Sequence, residues 1–146
     1  MSIRMGLFIA ICGLSFPLLI SWGGAHPSSG FASPAVPVSI AQVRGPSAAD
    51  WMGRHVTVEG FYYGETIAMI VDDIKRVYVN TPIPQDAYLP IVGPIPPGLK
   101  TGDRVAATGI VSRPGPGDPP EVAKEKTILR VHEAGQIRVL ERKKSG

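Results

Sequence analysis

A single cysteine, Cys12, serves the whole chain of 146 residues. An intramolecular disulfide framework and a cysteine-rich zinc site are both excluded. Positive charge is scarce where a fold could use it. The formal charge is +3, but Arg4 lies near the start, and Arg142, Lys143 and Lys144 lie at the end. Between residues 45 and 141, 10 basic residues stand against 12 acidic ones, a net of −2. A protein that lives by neutralising phosphates needs a basic face, and composition gives no strong nucleic-acid charge signature here. The three histidines, His26, His55 and His132, are far apart. None has a partner at metal-helix spacing, whereas a metal site needs three or four converging ligands. No Ser–His–Asp order, Gly-rich phosphate loop or paired-carboxylate signature stands out. The expectation is therefore a protein with no metal, no cofactor and no catalytic centre.

Glycine and proline are abundant instead, at 17 and 15 residues. Their joint share is well above the usual ~12%, so long helices cannot dominate. The length suits one domain of ordinary size, and the charged second half excludes a polytopic membrane protein.

Residues 5–25 carry no charged side chain, and Leu7–Trp22 is almost wholly apolar. Arg4 precedes this run, and the small residues Gly23, Gly24 and Ala25 follow it. A positive start, an apolar middle and a small-residue end are the order of an export signal. The expectation is cleavage after Ala25, with an uncleaved anchor, attached to the membrane through residues 5–25, as the alternative. The protein is then extracytoplasmic: periplasmic, secreted, or anchored and facing outward. Cleavage also removes Cys12, which suits an oxidising compartment. Residues 26–38 are uncharged and rich in Pro, Ser, Gly and Ala, which predicts a semi-extended linker. The folded body is expected over 39–141, with a solvated basic tail over 142–146.

Within the body, Ser39 and Gln42 have the spacing of a capping box, and Ser47 with Asp50 marks a second helix start. One or two short helical turns are expected between 39 and 52, ended by Gly53. From His55 the period changes to two. Val56, Val58, Gly60 and Tyr62 fall on one face, and Thr57, Glu59, Phe61 and Tyr63 on the other, which is the strand signal. Ile67–Val71 and Arg76–Asn80 read as a hairpin turned by Asp72 and Asp73. Gly102–Asp103 turns into an alternating strand over Arg104–Arg113. Thr127–His132 and Gln136–Leu140 read as two pieces of strand, with Gly135 as a bend or bulge. Pro82, Pro84, Pro90, Pro94, Pro96 and Pro97 forbid a helix over 81–101, and 113–127 reads as an open polar loop. The fold class expected is all-β: a small five-stranded barrel with a short helical lead-in. Gly60 and Gly109, near the strand midpoints, relieve crowding where strands coil tightly.

The segments SIAQVRG, HVTVEGFYY, IVDDIKRVYVN, GLKTGDRVAATGIVSR and ILRV together resemble bacterial OB-fold domains. The likeness is to OB modules of secreted or surface-attached proteins, some of which accompany extracellular nucleases and phosphoesterases. It covers about residues 38–141, and Gly102 to Gly109 is its most specific part. The chain departs from that pattern in its proline-rich segment, where many OB folds carry a helix, and in having no nuclease or phosphoesterase domain.

The resemblance implies a ligand face on the second and third strands with their flanking loops. Phe61, Tyr63, Arg76 and Tyr78 are its candidates, since aromatics beside an arginine can stack on bases or sugar rings. A proline-stiffened arm holds Tyr88, Leu89, Ile91 and Val92, which either dock a partner or cover the barrel. The expected function is an exported, non-catalytic OB-fold binding module whose ligand is a protein partner or an extended polymer such as nucleic acid or glycan. Two alternatives stand beside it. One is a membrane-tethered haem carrier resembling the chaperones of cytochrome c maturation, through His132. The other is an accessory subunit of an extracytoplasmic enzyme.

Overall fold

The computed structural model describes residues 34–146; the expected signal or anchor over residues 1–25 and most of the expected linker lie outside them. Among the described residues no helix is long and apolar enough to cross a membrane. The chain forms strands β1 (Val36–Val38), β2 (His55–Tyr63), β3 (Met69–Val71), β4 (Tyr88–Val92), β5 (Arg104–Ser112), β6 (Ile128–Arg130) and β7 (Ile137–Glu141), with short helices α1 (Ile40–Arg44) and α2 (Ala48–Trp51).

Five strands close into a barrel. The circuit runs β2, β3, β4, β6, β5 and back to β2. All of its pairs are antiparallel except β4 with β6. β1 lies parallel to β2, and β7 lies antiparallel to β5. The interior takes the face expected of β2: Val56, Val58 and Tyr62 are buried, together with Ile70, Leu89, Ile91, Val105, Val111 and Leu129. α1 adds Ile40 and Val43. Its start is the capping box read from the sequence, with Ser39 Oγ accepting from Gln42 N–H and Gln42 Oε1 accepting from Ser39 N–H.

The two strand glycines permit closure. A Cβ on Gly60 would overlap Ile70 Cγ2 and stand 2.6 Å from Val71 O. One on Gly109 would overlap Arg130 O and stand 3.0 Å from Arg130 C. Backbone thus approaches backbone at both places, and no side chain fits between.

Several expectations are corrected. Arg76–Asn80 is not a strand: Ile74–Tyr78 is a 3₁₀ helix. Asp73 starts it by accepting from Lys75 N–H at 2.9 Å, a local side-chain bond that competes with a ladder. The third barrel strand is β4, inside the proline-rich segment. Pro90 is tolerated there because it faces Met69, while Ile91 N–H donates to Ala68 O and Asp72 N–H to Ala87 O. Those bonds flank Pro90, whose position in this antiparallel ladder needs no donor. Gly135 is not a bulge; it sits in a 3₁₀ turn, Ala134–Gln136, that separates β6 from β7. Val36–Val38, at the end of the expected linker, is a strand. The tail is not free from its start, because Arg142 and Lys143 are tied to Asp103.

Candidate binding groove

Alternation on β3 and β4 sorts their side chains. Ile70, Leu89 and Ile91 belong to the core. Met69, Val71, Tyr88 and Pro90, paired across the two strands as Met69 with Pro90 and Val71 with Tyr88, take the outer face. Three loops rise around this face. The β2–β3 loop brings Thr66 and Ile67, the β3–β4 connection brings Ile83, and the β5–β6 loop brings Glu121 and Glu125. With Met69 and Tyr88 they line a groove of about 350 Å³.

One wall of the groove is a buried polar network. Arg44, the last residue of α1, has a side chain only 3% exposed. Its Nε donates to Gln85 O at 2.7 Å, Nη1 to Thr127 O at 2.9 Å and Nη2 to Glu125 Oε2 at 2.9 Å. Its guanidinium also lies 4.6 Å from the centre of the Tyr88 ring. The Tyr88 hydroxyl donates to Glu125 Oε1 at 2.9 Å. Burial, and then the bond to Glu125 and its charge, hold the Tyr88 phenol above its ordinary range, with Arg44 opposing. Tyr88 therefore stays a neutral donor.

A second strut holds the same loop. Arg130 on β6 gives Asp118 two bonds, Nη1 to Oδ1 at 2.8 Å and Nη2 to Oδ2 at 2.7 Å, the bidentate geometry of a strong pair. Gly115 N–H adds a bond at 2.7 Å. The Arg130 bonds, then the Gly115 N–H, bring the Asp118 carboxyl down to about 2. Asp103 behaves alike. Burial pushes its carboxyl up, but the N–H groups of Lys143 and Lys100 together with Arg142 outweigh that and hold it below the usual range. Both carboxylates favour the fold above the unfolded value of about 3.9, and that contribution is lost as pH falls below it, for Asp118 towards about 2. Urea midpoints are thus expected to drop steeply on acidification below pH ~4, and Arg130→Gln should flatten the drop. An unchanged acid slope in that variant would contradict the strut.

The residues nominated from sequence are dispersed by the structure. Phe61 and Tyr63 lie half-buried on the outer face of β2, beside the Glu59–Arg104 ion pair of 3.0 Å. Arg76 and Tyr78 are exposed on the 3₁₀ helix that packs near β2, where Arg76 pairs with Asp72 at 2.8 Å. Tyr88 lines the groove and Val92 is half-buried at the end of β4. Leu89 and Ile91 cannot meet a partner, because both point into the core at 0% and 4% exposure. His132 is exposed after β6, where Gln136 Oε1 accepts from its N–H at 2.7 Å. Among the described residues, no three His, Cys, Asp or Glu side chains form a group able to hold a metal. Arg44 and Glu125 carried no sequence signal, since their contacts with the rest of the network span 37 to 83 residues of chain.

No family model and no curated protein matches the chain.

Proposed function

We propose that the chain is an extracytoplasmic, non-catalytic binding module of the OB type. Its groove takes an extended segment of a protein partner in which an apolar side chain neighbours a cation. The strand circuit supports the OB reading: a closed five-stranded barrel with the groove on its second and third strands. The loops flanking the groove join strands one to two and four to five, the place where OB modules take ligands. The observation that carries the ligand class is the composition of the lining. Thr66, Ile67, Met69, Ile83 and Tyr88 give it an apolar floor, its two charged residues are Glu121 and Glu125, and no lysine or arginine is among them. Arg44 neutralises Glu125. Glu121 is exposed and has no ion-pair partner among the described residues. A phosphate backbone would meet only carboxylates there, whereas a lysine or arginine can lay its stem on the floor and its charge on Glu121.

Selection of a random displayed-peptide library on the full chain tests this reading. Enriched sequences are expected to pair an apolar residue with Lys or Arg, and Glu121→Lys should weaken the winners by about tenfold or more, the equivalent of one lost charge contact. Enrichment of acidic peptides, or binding untouched by Glu121→Lys, would contradict it.

A further inference from the structure

The basic tail makes a second surface that shares no lining residue with the groove. Asp103, 1% exposed, fixes the tail. Its Oδ1 accepts from Lys143 N–H at 2.9 Å, and its Oδ2 accepts from Lys100 N–H and Arg142 Nη1, both at 3.0 Å. Arg142 Nη1 also donates to Gly98 O at 2.7 Å, yet its side chain stays 60% exposed. Lys143 is held over Tyr78, with Nζ 5.6 Å from the ring centre and 3.4 Å from the hydroxyl. Lys100, Arg142, Lys143 and Lys144 thereby border one hollow of about 740 Å³. The one acidic side chain that lines it is Asp103, already engaged. Lys100, Lys143 and Lys144 have no carboxylate partner among the described residues. Tyr78, joined to the hollow through Lys143, is 61% exposed.

We propose that this hollow binds a chain of closely spaced phosphates. Four cations spread around a wide concavity match repeated charges better than a single ion, and neutralising a phosphate chain releases counterions. Such a chain has two sources, linear polyphosphate or the backbone of a single nucleic-acid strand. Tyr78 separates them, because its exposed ring can stack on a base and polyphosphate has none. The charge balance of −2 over residues 45–141 does not bear on this surface, because the fold adds the tail cations to it.

The test is fluorescence anisotropy of the full chain with labelled inorganic polyphosphate and, separately, labelled oligothymidylate, over a salt series. Polyphosphate is expected to bind and to weaken steeply with salt. The Lys143→Glu, Lys144→Glu double variant should lose at least about tenfold. Neither change touches the backbone N–H that bonds Asp103, and an unchanged melting curve verifies the fold. Asp103→Asn keeps all four cations but loosens the tail, so it should also weaken binding, which a mere sum of charges would not. If Tyr78→Ala weakens oligothymidylate alone, the source is a nucleic-acid strand; if it changes neither probe, the phosphate chain alone is read. No binding of either probe, full affinity in the double variant, or equal affinity for a sulfated polysaccharide would overturn the proposal.

Discussion

Arg44→Met is expected to cost about 3–5 kcal/mol of folding stability, the range for removing one partner of a buried ion pair. The arginine is almost completely buried, so solvent screening does not reduce the effect. Its loss would strand the Glu125 carboxylate and leave the carbonyls of Gln85 and Thr127 without donors. Methionine keeps most of the volume, which isolates the polar contribution. Tyr88→Phe removes only the hydroxyl bond to Glu125 and should cost about 1–3 kcal/mol, since the acceptor is charged. Chemical denaturation of both variants and of their double mutant measures the coupling. A loss under ~1 kcal/mol for Arg44→Met would show that the network does not hold the β5–β6 loop to α1. The groove would then lack the fixed wall that the proposed binding requires.

Gly109→Val and Gly60→Val should each destabilise by about 3 kcal/mol or more, at or above the upper end for overpacking. The obstruction at Gly109 is the backbone of Arg130, and at Gly60 it includes the Val71 carbonyl. Backbone in a closed sheet cannot rotate aside as a side chain can. Gly117→Ala is the control, because its Cβ would meet nothing within 4 Å; it should stay within about 0.5 kcal/mol of the parent. Equal tolerance at all three positions would mean that the strands do not close as described.

What the sequence displayed was periodicity. The alternation over His55–Tyr63 and Arg104–Ser112 fixes which face is inside, because a period of two is enforced residue by residue. The Ser39 capping box was legible for the same reason: all of its bonds are local. The third strand was missed because two local signals misled. Arg76–Asn80 alternates but is captured by the Asp73 side chain, and Tyr88–Val92 contains a proline that only its position in the ladder excuses. That error placed Arg76 and Tyr78 on the sheet, when they lie on a 3₁₀ helix, and assigned Leu89 and Ile91 to a loop when they are core. In the groove, Tyr88 was nominated, but Arg44, Glu121 and Glu125 were not. A charge in a polar loop looks the same in sequence whether it is solvated or tied to a residue more than 80 positions away. The tail was misread similarly, since nothing local reveals that Asp103 would hold it.

The most direct test of the groove is chemical-shift mapping by NMR. The isotope-labelled chain would be titrated with the best basic-apolar peptide from the library selection. Perturbations are expected to centre on Thr66, Ile67, Ile83, Tyr88 and Glu121, and to leave the outer face of β2 and the tail unmoved. A map centred on Phe61 and Tyr63, or on Lys143 and Lys144, would contradict the assignment of the groove as the site where this protein meets its partner.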